Sequence, residues 1–292
     1  MKPIVAILAQ GTMGAGIARR LTENGVEVRT SLAGRSAGSA QRAKEAGMID
    51  ATEAQLAEAD FFLSIVPPGD ALALVQRLSP AFSAANRKPV YVDCNAVNTE
   101  TAHRIDAAVG QTGAPFVDGG IIGGPPHPLA THPNDAGPRL YVAGPNADRL
   151  LRLREYGLDI RVLSGPADAA SALKMSYAGI TKGFTALGSI MLLAAVRAGT
   201  APDLFAELAD SQKALLGWLN GSIPRMYDKA YRWVAEMEEI SGFVGTELSD
   251  AEVHAAFAKF YARMAADNDG PKTEIGMLSD FLKSGQQPGA KP

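Results

Sequence analysis

Residues 4–16 read IVAILAQGTMGAG. The run Ile4–Ala9 is short and apolar throughout, the pattern of a parallel strand buried on both faces. The turn Ala9-Gln10-Gly11-Thr12-Met13-Gly14 follows at once, and a helical pattern through Ile17, Ala18 and Leu21 ends at Asn24-Gly25. Strand, glycine turn and helix in that order put backbone N–H groups and a helix N-terminus where a pyrophosphate can sit. Gly11 lets the backbone approach the phosphates, Thr12 and Met13 complete the cofactor turn, and Gly14 lets the helix pack closely on the strand. Ala9 takes the first place of the G-x-G-x-x-G pattern, which alanine fills only at negative φ. The alternative is an ordinary βα turn with packing glycines. The position at the N-terminus and a second apolar strand at Val26–Thr30 favour the dinucleotide reading.

Working outward, 292 residues suffice for two domains, each with its own core. Hydrophobic residues make up 47% and charged residues 20%, ordinary for a globular protein. With a net charge of −3 and a pI near 5.9, the chain has no electrostatic footprint for nucleic acid. A single cysteine, Cys94, excludes an internal disulfide and fits a reducing compartment. The opening apolar run is too short for a signal peptide's core. The longest apolar stretch, Phe184–Val196, is too short to span a bilayer and reads as a buried helix. The expectation is a cytoplasmic protein with no membrane partner.

Strand-like runs recur at Phe61–Val66, Pro89–Asp93, Phe116–Asp118, Arg139–Ala143 and Arg161–Leu163, with helical patterns between the earlier ones. Between Ser31 and Met48 a loop and a short helix are expected. Pro67-Pro68-Gly69 breaks the first of these runs, and Asp70 is placed to cap the next helix. After Asp118 the chain reads as a glycine-rich turn, Gly119 to Gly124. Residues 123–139, dense in Pro and Gly, form a long loop that is either mobile or functional. From Asp168 onward only helices are expected. The fold class is α/β: a Rossmann doubly wound parallel sheet over residues 1–165, then an all-α substrate and dimerisation domain over 166–283. Residues 284–292 read as a disordered tail.

The end of the second strand usually carries an acidic residue for the ribose 2′-hydroxyl. Here it reads Arg29-Thr30-Ser31-Leu32, then Ala33-Gly34-Arg35-Ser36. A guanidinium and a hydroxyl suit a 2′-phosphate, and no carboxylate repels it. NADP(H) is therefore favoured over NAD(H), against the alternative that Arg35 is a solvated surface residue.

In the helical half, Lys174 lies in the small, apolar run Ala169–Tyr177. Partial desolvation lowers a lysine's pKa and suits it to proton transfer. Helical spacing gathers Lys174, Tyr177, Thr181 and Lys182 on one face. Lys174 is the candidate general acid and base, and Tyr177 the candidate assistant. The alternative is a lysine that snorkels to solvent. Cys94 lacks a basic partner and reads as an inert buried thiol. His127 and His132 do not have the spacing of a helical metal pair, and no metal is expected. Trp218 and Trp233 read as core or dimer contacts, with Trp233 also placed to wall a substrate pocket.

This layout resembles the β-hydroxyacid dehydrogenases, the family of 3-hydroxyisobutyrate and 6-phosphogluconate dehydrogenases. The resemblance rests on AQGTMG at the N-terminus, VPPGD after Phe61–Val66, FVDGGIIGG and ALKMSYAGITKG. The stretch YRWVAEMEEI is similar to a less studied branch with its own helical domain. The resemblance implies cofactor contacts at Val66, Pro67 and Asn95, a substrate carboxylate held at Gly123 and Gly124, and catalysis by Lys174. It also implies a homodimer acting on a small molecule. Two positions depart from the family. Ile122 replaces a serine before the two glycines, and Ala178 replaces an asparagine one turn after the lysine. That keeps the proton donor and removes two groups that fix the substrate. The reading is an NADP(H)-dependent oxidoreductase acting on a hydroxy acid or related alcohol or carbonyl. An NADPH-dependent imine or carbonyl reductase and a non-catalytic NADPH sensor are the alternatives.

Overall fold

The computed structural model describes residues 1–245 and 249–284. Its packing divides the chain into two compact units, Met1–Met175 and the part from Ser176 onward.

The first unit is built on an eight-stranded sheet: β1 (Ile4–Leu8), β2 (Glu27–Thr30), β3 (Ile49–Asp50), β4 (Phe61–Ser64), β5 (Val90–Asp93), β6 (Phe116–Ile122), β7 (Arg139–Ala143) and β8 (Asp159–Val162). The order is β3-β2-β1-β4-β5-β6-β7-β8, parallel except where β7 runs antiparallel to β6. The early helices are α1 (Thr12–Glu23), α2 (Ala37–Glu45), α3 (Glu53–Ala57), α4 (Ala71–Ala84) and α5 (Thr99–Gly110). Successive strand residues face opposite sides. Val5, Ile7, Leu63 and Val92 pack with Ile17 and Leu21 of α1 and with Leu150 and Leu153 of a 3₁₀ segment, Ala147–Tyr156. Ala6, Leu8, Phe62 and Tyr91 pack with Leu56, Leu74, Phe82 and Ile105 of α3, α4 and α5. Phe62 stacks on Tyr91 at 5.2 Å, and Phe82 meets both rings edge-on. Strands covered on both faces are why they read as unbroken apolar runs.

Three sequence expectations change here. The segment after Asp118 is not a glycine turn, because β6 continues through Gly119 and Gly120 to Ile122. Both glycines are sites of close approach: a Cβ on Gly119 would lie 2.8 Å from Asp93 O, and one on Gly120 2.8 Å from Ala170 O. The two-residue strand β3 was not expected, being too short to show a period. Asp70 stands at the cap position of α4 without a side-chain cap bond, and a 3₁₀ turn, Pro68–Asp70, precedes the helix.

The described residues beyond β8 form α6 (Ala169–Ala198), α7 (Ala201–Ser211), α8 (Lys213–Met226), α9 (Ala230–Val244), α10 (Asp250–Asp269) and α11 (Thr273–Ser284), with a 3₁₀ turn before α9. Ser284 thus closes α11, and the rest of the expected tail lies outside the described residues. The 30-residue α6 is long and apolar enough, by length and composition, to cross a membrane. It outruns the stretch Phe184–Val196, and that stretch is buried on one side only. Ala186, Ser189, Leu192 and Leu193 are buried, whereas Ile180, Phe184, Leu187 and Met191 are exposed. The division between the two units falls inside α6. Its first turns belong with the sheet because Ser171 and Lys174 are bonded to β6.

Candidate active site

The nucleotide turn forms as its sequence requires. Gly11 is the N-cap of α1, with no side-chain cap and no acidic residue in the first turn, so the leading amides of α1 are open to an anion. A Cβ on Gly11 would meet nothing, which leaves room for a phosphate, whereas one on Gly14 would run into Ala9 O. Thr12 is exposed, and Met13 is half-buried against the core. These residues fit a dinucleotide pyrophosphate.

At the end of β2, the Thr30 hydroxyl donates to Ile7 O at 2.8 Å and accepts the side-chain amide of Gln10. Gln10, fully buried, also donates to Ser31 O at 2.8 Å. The place of the ribose-binding carboxylate is therefore filled by a closed set of neutral groups. Ser36 caps α2, accepting Ser39 N at 3.3 Å, and Arg35 is exposed beside it.

The strand ends β4 and β5 meet through Asn95, which is 2% exposed. Its carbonyl accepts Val66 N at 2.6 Å, and its amide donates to Ser64 Oγ at 2.8 Å and to Asp93 Oδ1. The sequence reading gave Asn95 a direct contact with the cofactor. In the structure its side chain ties the turn at Val66, next to the exposed Pro67, to Ser64 and Asp93 at the strand ends. Cys94 beside it is free and buried. Burial, with the charges of Asp93 and Asp118, pushes its thiol pKa up, as an inert thiol requires.

Sequence reasoning missed Asp118. This carboxylate is fully buried in β6 and accepts Ser171 N at 2.8 Å and Ser171 Oγ at 2.5 Å. Burial raises its pKa, and the bonds from Ser171 oppose the rise. An Asp inside an apolar strand facing a helix start that carries Ser was the available signal. One turn later Lys174 donates to Ile121 O at 2.6 Å. Its side chain as a whole is half-buried, yet the amine end is desolvated enough to bring its pKa down to about 8. The snorkelling alternative does not describe this inward-turned amine. Ile122 is buried at the end of β6, with Gly123 and Gly124 exposed just after it. Gly123 has φ +127°, and a Cβ there would stand 3.1 Å from Pro138 Cα.

The loop after Gly124 is seated on α1. Gly16 admits Pro125 and Pro126, with a hypothetical Cβ only 2.9 Å from Pro126 Cδ. Arg20, one turn on, pairs with Asp135 at 2.9 Å and donates to Asp135 O and His127 O. Glu23 accepts Leu129 N at 3.3 Å. The rings of His127 and His132 stack at 4.5 Å, and no group of three metal-ligating side chains occurs among the described residues.

In the second unit Ala178 is buried, and Tyr177 is 47% exposed. Thr181 spends its hydroxyl on Tyr177 O at 2.9 Å. Lys182, which helical spacing places on one face with Tyr177 and Thr181, is paired with Glu236 and lies over the Trp233 ring at 5.1 Å. Trp233 meets Tyr261 edge-on at 5.1 Å, and Tyr261 Oη donates to Lys182 O at 2.6 Å. Trp233 and Lys182 are thus members of one cluster inside the helical unit. A groove of about 270 Å³ runs among Phe184, Leu187, Met191, Leu208 and Leu219.

Residues 5–132 match the NAD binding domain of 6-phosphogluconate dehydrogenase, and residues 195–264 match a domain of unknown function, DUF1932. An uncharacterized 28.5 kDa protein of Methanothermus fervidus is 26% identical over 222 residues, 75% of this chain and 82% of that protein. Among solved structures, the conserved protein MTH1747, of unknown function and described as similar to 3-hydroxyacid dehydrogenases, superposes with a TM-score of 0.68 at 25% identity. That match covers 94% of this chain and 99% of the other. The 3-hydroxyisobutyrate dehydrogenase of Mycobacterium tuberculosis gives a TM-score of 0.67 at 18% identity, covering 98% and 100%. With the nucleotide turn, the mostly parallel sheet and the helical half that carries the second match, the chain has the NAD binding domain of 6-phosphogluconate dehydrogenase over residues 5–132 and DUF1932 over residues 195–264, in a fold similar to that of the 3-hydroxyacid dehydrogenases.

Proposed function

We propose that this protein is an NADP(H)-dependent oxidoreductase acting on a hydroxy acid or a related alcohol or carbonyl compound, with Lys174 as general acid and base. The bound nicotinamide would supply or accept the hydride. The observation that carries the reading is the Lys174 amine, fixed on Ile121 O at 2.6 Å and lowered to a pKa of about 8. Such a group exchanges a proton at Nζ near neutral pH. Protonated, it donates to a carbonyl oxygen as that oxygen gains charge. Neutral, it accepts the proton of an alcohol. Ile121 O takes one N–H and so sets the direction of the remaining ones.

The pyrophosphate belongs at the open amides of Gly11 to Gly14, and the adenosine ribose at the end of β2. Preference for NADP(H) is supported by the neutral, internally bonded Thr30 and by Arg35 and Ser36 beyond it. The amides of Gly123 and Gly124 are placed to receive a substrate anion. Ile122, buried and apolar just before them, offers it no hydrogen bond, which favours a less polar substrate than a short hydroxy acid. Tyr177, Thr181 and Trp233 remain candidate substrate contacts.

We further propose a homodimer. Tyr177, Ile180, Phe184, Leu187 and Met191 recur at spacings of three and four residues, each at least 47% exposed, and so make one apolar stripe along α6. Lone exposed apolar residues are ordinary, but a continuous stripe marks a surface that is covered.

The test is absorbance at 340 nm with NADP⁺ against 3-hydroxy acids, and with NADPH against aldehydes, ketones and ketone–amine mixtures. NADPH binding is followed separately by fluorescence. Lys174→Ala is expected to keep NADPH binding and lose about 10²–10⁴-fold in turnover. Near-normal turnover by that variant would overturn the assignment. Tight NADPH binding without turnover of any compound would favour a sensor.

A further inference from the structure

A second arginine stands at the ribose corner, held there by the nucleotide turn itself. Arg42, in the second turn of α2, reaches back so that Nε donates to Gln10 O at 2.8 Å and Nη2 donates to Ser39 Oγ at 3.0 Å. A guanidinium has five N–H donors, so three stay unspent. Nη1 lies beside Gly38, where a Cβ would approach it to 3.6 Å. Ser36 Oγ donates to Ser39 Oγ at 3.2 Å, which leaves the Ser39 hydroxyl hydrogen to point elsewhere. α2 has no acidic residue in its first turn, and its leading amides lack helical partners. Asp50, the carboxylate at the base of this loop, accepts Leu32 N at 2.8 Å through Oδ1. The side chain of Arg35, by contrast, is exposed and makes no hydrogen bond or ion pair among the described residues.

An arginine free in solvent must be ordered before it can grip a phosphate, and that ordering opposes binding. Arg42 is already ordered. Its anchor, Gln10 O, belongs to the same turn that receives the pyrophosphate, so its distance from the adenosine ribose is fixed by the backbone. We infer that Arg42, with Ser39 as its hydroxyl partner, is the residue that chiefly distinguishes a 2′-phosphorylated from an unphosphorylated adenosine ribose. The inference rests on the reading that the cofactor is NADP(H) and assigns the recognition to a residue well inside α2.

Calorimetric titration of the full-length protein with 2′,5′-ADP and with 5′-AMP tests this without any turnover. The wild-type protein should bind 2′,5′-ADP at least about tenfold more tightly, as charge-assisted bonds to phosphate require. Arg42→Ala should lose about tenfold or more for 2′,5′-ADP and stay within about twofold for 5′-AMP. Arg35→Ala should lose less, and Arg42→Lys, which keeps the charge without the fork, should recover part of the loss. Ser39→Ala, a milder change that leaves α2 intact, should reduce 2′,5′-ADP binding alone. No preference in the wild-type protein would overturn the cofactor reading itself. A wild-type preference that survives Arg42→Ala would overturn only the role of Arg42. Equal weakening of both ligands would also overturn it, because Arg42 would then merely hold the turn at Gln10.

Discussion

Asp118 on β6 and Ser171 at the start of α6 are joined twice, through the serine amide at 2.8 Å and its hydroxyl at 2.5 Å. The carboxylate is fully buried, so these bonds offset a desolvation that would otherwise favour its neutral form. They also fix the first turn of α6, and Lys174 lies one turn further on. Ser171→Ala removes one bond and leaves a buried carboxylate oxygen short of a donor, a loss of about 1–3 kcal/mol. Denaturant unfolding should show that loss, and turnover should fall while NADPH affinity holds. Unchanged stability and rate would mean that the link does not position the lysine.

Gly120 serves the same approach from the strand side. A Cβ there would lie 2.8 Å from Ala170 O and 3.3 Å from Lys174 Cβ, and backbone cannot step aside as a flexible side chain can. Gly120→Ala should therefore push α6 off β6, at a cost of about 1–3 kcal/mol for overpacking. Gly110→Ala, at a position where a Cβ meets nothing, is the control and should be nearly silent. Equal effects from the two substitutions would contradict the close contact.

The depressed pKa of Lys174 gives two pH signatures. Reduction of a carbonyl needs the protonated amine and should fall as pH rises through about 8, whereas oxidation of an alcohol should rise over the same interval. For stability, the folded protein binds this proton less tightly than the unfolded chain does. The cost is therefore largest below about pH 8 and fades as pH rises toward the unfolded value of 10.5. Lys174→Met should raise the denaturation midpoint below pH 8 and lose that advantage at alkaline pH. Rate profiles flat from pH 7 to 9 in both directions would count against the assignment.

The sheet was legible in the sequence because its strands are covered on both faces and read as unbroken apolar runs between Gly, Pro and Asn. β6 was not, since Gly119 and Gly120 look like a turn until the main chains of Asp93 and Ala170 are seen against them. Ile49–Asp50 is too short to carry a period. The residues singled out at the site lie in local motifs. Ser171 and Arg42 were not among them, because the partners that give them a role, Asp118 and Gln10, are 53 and 32 residues away in sequence, and no spacing rule reaches that far. Asn95 was visible as a loop asparagine, but the three bonds that enclose its amide come from strand ends that only folding brings together.

The loop of residues 123–138 should be held by Arg20 in a pH-dependent way. Asp135 has its pKa lowered: desolvation is the largest single influence and pushes it up, but the amides of His127 and Gly137 and the Arg20 guanidinium together outweigh it and stabilise the charge. A depressed carboxylate contributes stability above its unfolded pKa and loses it as pH falls through the folded value. Asp135→Asn should therefore open the loop at neutral pH, where limited proteolysis would cut it faster than in the wild-type protein. Arg20→Ala should do more, because it unseats the loop and empties a position that is only 4% exposed. Cleavage at the wild-type rate in both variants would show that the proline packing on Gly16 suffices.

The stripe on α6 predicts the assembly state. Phe184, Leu187 and Met191 are about half exposed, and Phe184 meets Trp218 edge-on at 6.3 Å. If a second copy covers this face, Leu187→Glu places a charge into an apolar interface and leaves each monomer's own core untouched. Light scattering should then report a dimer for the wild-type protein and a monomer for the variant, with helical content preserved by circular dichroism. The desolvation of one unpaired carboxylate per copy is enough to dissociate an interface of ordinary size. A wild-type monomer at micromolar concentration would leave the stripe free for another partner, and a variant that stays dimeric would move the interface elsewhere on the helical unit.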